Sequence, residues 1–492
     1  MSTTTTCPNL QSLLLDAGLP ASKIHTPSSD AYVARQSSYW SICARSPQPS
    51  LILQPTSAQQ ISRILPVLVS TSTPFAVRSG GHMVHANSNN ISSGVTLDLG
   101  LLNSTTYDPN TKLATIQSGS RWKEVYTALE PHGVVVPGGR EGNVGVGGLL
   151  LGGGNTFFTA RKGWACDNVV SYDVILSNGT ILPSVTHSSH PDLFRVLKGA
   201  GCSANFGIVT SFVMTTIPCT KVWGGMIISP KTIIPKGLEA LVRFTDRLGN
   251  DEMDSRDDNL IVIIGHNPMV RDNVVATLVV NVDGKEGGGE ALQEWLSLDQ
   301  MMNMSKMTSI REMAHEYIIT QDRYDTWFTL TFKNDMRILE YCSAQHDKLV
   351  EQLIRFIPEQ DFETQCLFQP VPRYFGGLAA SASGGPENIL GLEKTVTENS
   401  ILLLAVTMVK TAEQEKFAYP LVKKWVEDVR AFAESIGGAQ DWLYLYYADG
   451  SQRVLESYGQ DNVKLMREVS KKYDPEGIFA RLCPGGFKIP TE

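Results

Sequence analysis

Short apolar runs separated by turn residues fill the first two hundred positions of the chain. The runs that predict strands are Leu51–Leu53, Phe75–Val77, Val95–Leu99, Leu113–Gln117, Val134–Val136, Val169–Leu176 and Thr180–Leu182. The last two flank Asn178-Gly179, a dipeptide typical of a tight hairpin turn. Helical spacing over Ser57–Leu68 and Trp122–Leu129 adds few helices, so the pattern predicts an α+β domain instead of a strict βαβ repeat.

The pattern changes near Pro218, beyond which the apolar runs become longer. These longer runs are Val222–Ile228, Leu260–Ile264, Val274–Val282 and Ile401–Val409, with helical segments such as Lys236–Leu248 and Glu290–Leu296 between them. They predict an antiparallel sheet with helices on one face. We therefore predict a first domain over residues 1–218, an inserted domain over 219–440, and a tail over 441–492 that rejoins the first domain.

Composition and charge exclude several classes of protein. Charged residues make up 19% of the 492 residues and the formal net charge is −8. An acidic chain lacks the basic surface typical of nucleic-acid binders and of proteins bound to anionic membranes. No apolar stretch approaches the ~20 residues of a membrane helix, and the first twenty residues lack the basic start of a signal peptide. We expect a cytoplasmic protein with no nucleic-acid or membrane partner.

Two glycine-rich segments are candidates for ligand binding. In the first, Arg78-Ser79-Gly80-Gly81-His82 follows a predicted strand, where paired glycines let backbone N–H groups converge on an anion. The second runs from Gly138 to Gly154, a density of glycine that is costly in a regular helix or strand. A plain turn and a flexible linker are the alternatives. The interleaved Val144 and Val146 favour a buried loop over a linker, which would be polar.

Two other patterns, a dinucleotide-binding fingerprint and pairs of close histidines, do not predict the sites for which they are typical. The run Gly199–Ala204 fits the G-x-G-x-x-A fingerprint of dinucleotide binding, but a predicted helix precedes it and a predicted strand follows. This order is the reverse of the required one, so we reject a Rossmann site. The eight cysteines include no CxxC pair, and the close histidines His82/His85 and His187/His190 lack acidic or cysteine partners at metal-site spacing. We therefore expect no metal site.

Taken together, the motifs resemble the FAD-linked oxidases of the vanillyl-alcohol oxidase fold, in the berberine-bridge-enzyme-like group of fungal secondary metabolism. The matching segments, in the order of the family, include PSLILQP, FAVRSGGH, VGVGGLLLGGG, HPDLFRVLKGAGCSANFGIVTSF, DWLYLYYADG and PGGFKI. The resemblance implies an FAD-dependent oxidoreductase. Its FAD-binding domain is made from the N-terminal segment and the C-terminal tail, with a substrate domain inserted between them.

The resemblance also implies cofactor-binding residues. It assigns His82 as the covalent attachment site at the flavin 8α carbon. The backbone residues expected along the cofactor are Arg78, Ser79, Gly80, Gly81, Asn143, Val144, Gly145, Gly147, Gly148, Asn205, Gly207, Ile208 and Val209. Many relatives attach FAD a second time through a cysteine, and that position holds Glu141 here, so the resemblance predicts a single tether. Val144 stands where the family controls oxygen access, which favours an oxidase.

The expected reaction transfers a hydride from a small apolar substrate to flavin N5, with dioxygen as electron acceptor. Tyr444 is the first candidate for the base and Tyr446 the second, although a tyrosine with its usual pKa of about 10 needs help from its surroundings. Alternation along a strand would put these two on one face and Tyr447 on the other. A packing role for these aromatics is the alternative. A flavin-bound cyclase without net redox chemistry and a non-catalytic small-molecule binder are the competing functions.

Overall fold

A computed structural model of the chain describes residues 9–250, 253–317, 319–378 and 388–491. The first part of the chain builds two sheets and a short ribbon. A four-stranded sheet with two parallel pairs has the strand order Ile24–His25, Leu51–Leu53, Val95–Asp98 and Phe75–Arg78. An antiparallel sheet has the order Thr105–Asp108, Leu113–Gln117, Ile208–Thr215, Val169–Ile175 and Ile181–Val185. The ribbon pairs Val134–Val135 with Ile217–Pro218.

The middle of the chain forms one large antiparallel sheet. Its strands, in spatial order, are Met302–Asn303, Val222–Pro230, Asp272–Asn281, Asp258–Asn267, Phe362–Val371, Ser400–Val409, Tyr324–Lys333 and Ala439–Gln440, with Lys306–Thr308 also beside Val222–Pro230. All ten residues of Ser400–Val409 are buried, because both faces of this central strand are covered. Long helices cover one face, and the other face borders the cavity described below.

Helices complete both parts of the molecule. The α-helices are Leu10–Asp16, Asp30–Ser37, Ile42–Arg45, Ala58–Ser70, Trp122–Leu129, Val146–Leu151, Thr159–Lys162, Pro191–Ala200, Ile234–Gly249, Gln293–Leu296, Ile310–Glu316, Met336–Ile354, Leu392–Thr395, Ala412–Ser435, Gln460–Tyr473 and Ile478–Leu482. Short 3-10 turns include Cys202–Ala204 and Leu445–Tyr447. Within the ranges given above, no helix combines the length and the apolar character needed to cross a membrane.

The C-terminal tail packs against the first part of the chain. Ile478, Phe479 and Leu482 share an apolar core with residues of the four-stranded sheet and of the helix Ala58–Ser70. The rings of Phe479 and Phe75 meet edge to face with their centroids 6.4 Å apart. The tail therefore contributes core residues to the N-terminal part although about four hundred residues separate them in sequence.

The α+β class predicted from sequence is confirmed, with several antiparallel sheets and helices on one face of the largest. The division at residues 218 and 440 stays a prediction. Two expectations are wrong. The glycine-rich segment Gly138–Gly154 is predicted to be a loop, but Val146–Leu151 within it is an α-helix. Strand alternation is predicted for Tyr444 to Tyr447, but Leu445–Tyr447 is a 3-10 turn. Such a turn has three residues per turn, so it brings residue i+3 back beside residue i.

Candidate active site

The two glycine-rich segments meet backbone to backbone. A Cβ atom on Gly80 would lie 2.5 Å from both the Cα and the N of Gly145, so only glycine fits at this contact. The guanidinium of Arg121 joins the segments, donating to the carbonyl of Gly80 at 2.8 Å and to the carbonyl of Asn143. Arg121, which sequence reasoning missed, therefore holds the two loops in register.

A long cavity runs beside this contact, with an empty volume of about 1830 Å³ that includes space open to solvent. The sequence-predicted residues that line it are Ser79, Gly80, Gly81, His82, Val144, Gly145, Gly147, Gly148, Gly207, Ile208, Val209, Tyr444 and Tyr446. A Cβ on Gly148 would meet no atom within 4 Å, because this glycine faces the open cavity.

Three sequence-predicted residues support the cavity without lining it. The buried side chain of Arg78 donates to the carbonyl of Arg35 at 2.6 Å and to Ser38 Oγ at 2.8 Å. Asn143 bonds to Glu141 through both its backbone N–H and its side chain. Asn205 Nδ2 donates to the carbonyls of Ala200 and Phe487. The predicted contact of these three residues with a cofactor stays a prediction. In the structure, each side chain forms hydrogen bonds with other residues of the protein.

The rejected fingerprint Gly199–Ala204 nevertheless contributes to this cavity. Its order is helix, then 3-10 turn, then strand, which differs from a Rossmann site as expected. Gly201, Cys202, Ser203 and Ala204 line the end of the cavity where the tail residues Cys483 and Phe487 also lie. The glycine density of this segment was the sequence signal that could have identified it.

His82 lies on the wall of the cavity between an indole and a carboxylate. Its ring stacks on Trp40 with centroids 4.9 Å apart and planes 14° apart. Its Nε2 atom is buried and lies 3.3 Å from Oε2 of Glu141. Neither Trp40 nor Glu141 is adjacent to His82 in sequence, so spacing alone could not reveal this arrangement.

The tail brings three tyrosines to the cavity instead of two. Tyr447 lines it together with Tyr444 and Tyr446, and its ring meets that of Tyr444 at 4.9 Å and 89°. The expectation that Tyr447 points the opposite way was wrong, because the 3-10 turn brings residues three apart together.

The three phenol oxygens have different partners. Tyr444 Oη accepts from the backbone N–H of Asn155 at 2.8 Å, and Tyr446 Oη donates to the carbonyl of Gly148. Burial raises the pKa of both tyrosines above the ordinary value. A hydroxyl whose proton is already bonded to a carbonyl is a poor proton acceptor, so Tyr446 is better suited to hold the loop at Gly148.

Tyr447 belongs to a closed polar network. Its oxygen accepts from Arg140 Nη2 at 2.9 Å and from Gln369 Nε2 at 2.7 Å. The Oε1 atom of Gln369 in turn accepts from Arg140 Nη1 at 2.6 Å and from Asn155 Nδ2 at 3.2 Å. With two donors aimed at it, the Tyr447 oxygen has a fixed position at the cavity wall.

The large sheet forms the remaining wall of the cavity. Ile261, Trp327, Leu367, Leu404 and Met408 give it an apolar surface, interrupted by the polar Gln365 and Gln369. Successive side chains of a strand point to opposite faces of the sheet. Trp327 therefore faces the cavity, while the next residue, Phe328, packs on Tyr419 of a covering helix.

A second cavity continues the first toward the outer end of the sheet. It has an empty volume of about 630 Å³ and shares Tyr317, Ile319 and Gln365 with the larger one. Its own lining includes Glu363 and His266, and burial lowers the pKa of His266. The second cavity therefore places a carboxyl group and an imidazole beside the apolar wall of the first.

Comparisons with known proteins agree with this geometry. Residues 49–183 match the model of a family described as FAD binding domain. The chain is 35% identical over 463 residues to the FAD-dependent monooxygenase drtC of Aspergillus calidoustus, an alignment that covers 93% of this chain and 86% of that protein.

Two solved structures share the fold. The berberine bridge enzyme superposes with a TM-score of 0.77 at 17% identity, covering 98% of this chain and 100% of that one. The glucooligosaccharide oxidase from Acremonium strictum, which carries a 6-S-cysteinyl, 8α-N1-histidyl FAD, has a TM-score of 0.75 at 16% identity, covering 99% and 100%. This chain belongs to the family of FAD-dependent oxidoreductases that includes the monooxygenase drtC, and it has the fold of the berberine bridge enzyme.

Proposed function

We propose that the protein is an oxidase that holds FAD through a single covalent bond at His82 and oxidises a small organic molecule in secondary metabolism. One observation carries the proposal. A single long cavity joins the glycine-lined contact at Gly80 and Gly145, the imidazole of His82, and the polar network around Tyr447. Cofactor attachment and proton transfer can therefore occur in one cavity.

The residues present fit FAD. The glycine segments leave room along the cavity wall, and the imidazole of His82 lines the cavity with its ring stacked on Trp40. In the proposed arrangement residues 1–218 and 441–492 hold the cofactor and residues 219–440 cover the substrate. Glu141 stands where many relatives have a cysteine, which supports a single tether. When bound, FAD supplies a hydride acceptor at N5.

The tyrosines of the C-terminal tail, Tyr444, Tyr446 and Tyr447, are the candidates for the base that removes a proton from the substrate. Tyr447 is the preferred base, because Arg140 puts a positive charge 2.9 Å from the oxygen that would accept the proton. Tyr444 is the alternative, since its oxygen also accepts a hydrogen bond, although from a neutral backbone N–H. Tyr446, the second candidate from sequence, is the weaker one because its own proton is bonded to Gly148.

The cavity wall indicates the kind of substrate. Ile261, Trp327, Leu367 and Leu404 suit a flat or aliphatic body, and Gln365 and Gln369 offer hydrogen bonds to one or two polar groups. We propose a small, mostly apolar molecule whose oxidised C–H is adjacent to an O–H or N–H that faces Tyr447. Val144 lines the cavity. We propose that this valine leaves access for dioxygen, which would be released as hydrogen peroxide.

A monooxygenase is the second candidate, because the relative of 35% identity bears that name. A redox-neutral cyclase is the third. The test uses the purified protein with a panel of apolar alcohols, phenols and amines under ¹⁸O₂. An oxidase forms one hydrogen peroxide per product without ¹⁸O in the product. Labelled product would favour the monooxygenase, and turnover without oxygen consumption would favour the cyclase. A colourless, FAD-free protein would contradict all three.

A further inference from the structure

Glu141 is a buried carboxylate beside the proposed attachment site. Only 4% of its surface is exposed. Oε1 accepts from Asn143 Nδ2 and Oε2 from the Asn143 backbone N–H, each at 3.0 Å. The same Oε2 lies 3.3 Å from His82 Nε2, which is buried and has no hydrogen-bond partner of its own among the residues that the structure describes. Burial of a carboxylate is costly unless polar partners surround it, and this one has its partners on the loop side and an imidazole on the cavity side.

The imidazole beside it is held in one orientation. Trp40 stacks on the ring with the two planes 14° apart, which limits its rotation. With Nε2 facing the carboxylate, Nδ1 is the ring nitrogen left to bond with a ligand. A carboxylate, an imidazole and an electrophile in line form the arrangement in which an acidic side chain activates a histidine.

We propose that Glu141 activates His82 for covalent attachment of FAD by accepting the proton from Nε2. This rests on the proposed function, since it requires FAD bound at His82. With FAD bound, Nδ1 of His82 would form a bond to the 8α carbon in place of one C–H bond, whose proton would go to solvent. Glu141 Oε2 would accept the Nε2 proton of the imidazole. The electron pair of the broken C–H bond would reduce dioxygen, which takes up the two released protons and leaves as hydrogen peroxide.

Glu141 thereby has a role that the relatives' cysteine at this position does not supply. In substrate oxidation Glu141 acts only through His82, so it is a positioning residue and not a catalytic one. It should therefore affect how fast the tether forms more than how the cofactor is bound.

The experiment follows attachment itself. Full-length apoprotein, produced under riboflavin limitation, is mixed with FAD in air, and flavin fluorescence of the denatured protein band is measured over time. We expect Glu141→Gln to bind FAD, seen by its absorption spectrum, but to attach it about 100-fold more slowly, in the range typical of a lost proton acceptor. Glu124→Gln, an exposed carboxylate on the neighbouring helix, is the matched control and should attach FAD at the wild-type rate.

A second variant separates proton transfer from packing. Glu141→Ala leaves space beside His82, and added formate should raise its attachment rate at least tenfold, whereas chloride at equal ionic strength should not. Attachment at the wild-type rate in Glu141→Gln, or no response to formate in Glu141→Ala, would overturn the proposal. If the wild-type protein itself binds FAD without attaching it, the covalent tether of the proposed function fails instead, and the two failures are thereby distinguished.

Discussion

Tyr447 differs from its two neighbours in what surrounds its phenol oxygen. Arg140 and Gln369 both donate to it, whereas Tyr444 receives one neutral donor and Tyr446 gives its proton to a carbonyl. We predict that Tyr447→Phe lowers kcat about 100-fold, because general-base catalysis contributes about 10²–10⁴-fold and the ring itself is retained. Steady-state kinetics of oxygen consumption measure this.

Two companion measurements make that prediction specific. The flavin spectrum of Tyr447→Phe should match that of the wild type, which excludes loss of cofactor as the cause. Tyr444→Phe removes the acceptor of the Asn155 N–H and should cost less than tenfold in kcat. A larger loss for Tyr444→Phe than for Tyr447→Phe would reverse the assignment of the base.

Asp325, which has no part in the proposed reaction, should make the stability of the fold depend on pH. It is 6% exposed, and burial, opposed by the Ser41 hydroxyl and the charge of Arg323, raises its pKa from 3.8 to about 8. Between pH 4 and 8 the unfolded chain releases this proton while the folded protein keeps it. Asp325 therefore destabilises the fold progressively as the pH rises through this window, and the effect levels off above pH 8.

Asp325→Asn tests this dependence. At pH 8 we expect a free energy of unfolding higher than that of the wild type by on the order of 2 kcal/mol, less than the full shift implies because the amide is also polar. The difference should disappear near pH 4. Urea denaturation at a series of pH values measures it, with the exposed Asp441→Asn as control. Parallel curves for wild type and Asp325→Asn would contradict the prediction.

At the scale of elements, the decisive contact lies where the loop after Phe75–Arg78 meets the loop before Val146–Leu151. Gly80→Ala puts a methyl group 2.5 Å from two backbone atoms of Gly145, and neither can move without its loop. We expect the apoprotein to lose about 1–3 kcal/mol of stability, the usual cost of overpacking, and to bind FAD weakly. Thermal denaturation of the apoprotein and FAD titration measure the two effects.

Gly148→Ala is the matched substitution, because its methyl group meets no atom within 4 Å. It lies within a helix, where alanine is favoured over glycine, so the apoprotein should be at least as stable as the wild type. Since Gly148 lines the cavity, FAD affinity alone should fall. If both variants destabilise the apoprotein equally, the close backbone contact with Gly145 is not the reason why position 80 requires glycine.

The sequence allowed the elements and the glycine segments to be predicted better than the contacts between them. Leu113–Gln117 and Trp122–Leu129 have the bounds expected from periodicity, because their apolar spacing matches one kind of element. The prediction for Tyr444–Tyr447 is wrong because the alternation of a strand does not hold in a 3-10 turn. Local spacing does not predict that Trp40 and Glu141 contact His82, because these contacts join residues far apart in the sequence.

At the scale of the whole molecule, the fold closes where the tail returns to the first part of the chain. Phe479 is 1% exposed and packs on Phe75 in a core that also includes Ile478 and Leu482. A few residues further on, Cys483, Gly486 and Phe487 line the cavity. The Phe487 N–H donates to Ser203 Oγ at 3.1 Å, so the tail ties the cavity wall to the core.

Phe479→Ala should therefore affect stability and cofactor binding together. We expect a loss of about 3–5 kcal/mol, as for other buried phenylalanines, because the cavity left behind lies between two parts of the chain. The matched control is Phe356→Ala, whose ring is 71% exposed, and which should change stability by about 0.5 kcal/mol or less. Thermal denaturation with and without FAD measures both.

Because FAD binds only the folded protein, saturating cofactor should restore part of the lost stability of Phe479→Ala, by an amount that grows with its free concentration. This restoration depends on a tail that can still close over the cavity. A variant destabilised as expected but insensitive to FAD would mean that residues 483–487 no longer reach the cavity wall once Phe479 is gone. Equal stability of Phe479→Ala and Phe356→Ala would mean instead that the tail does not hold the first part of the chain together.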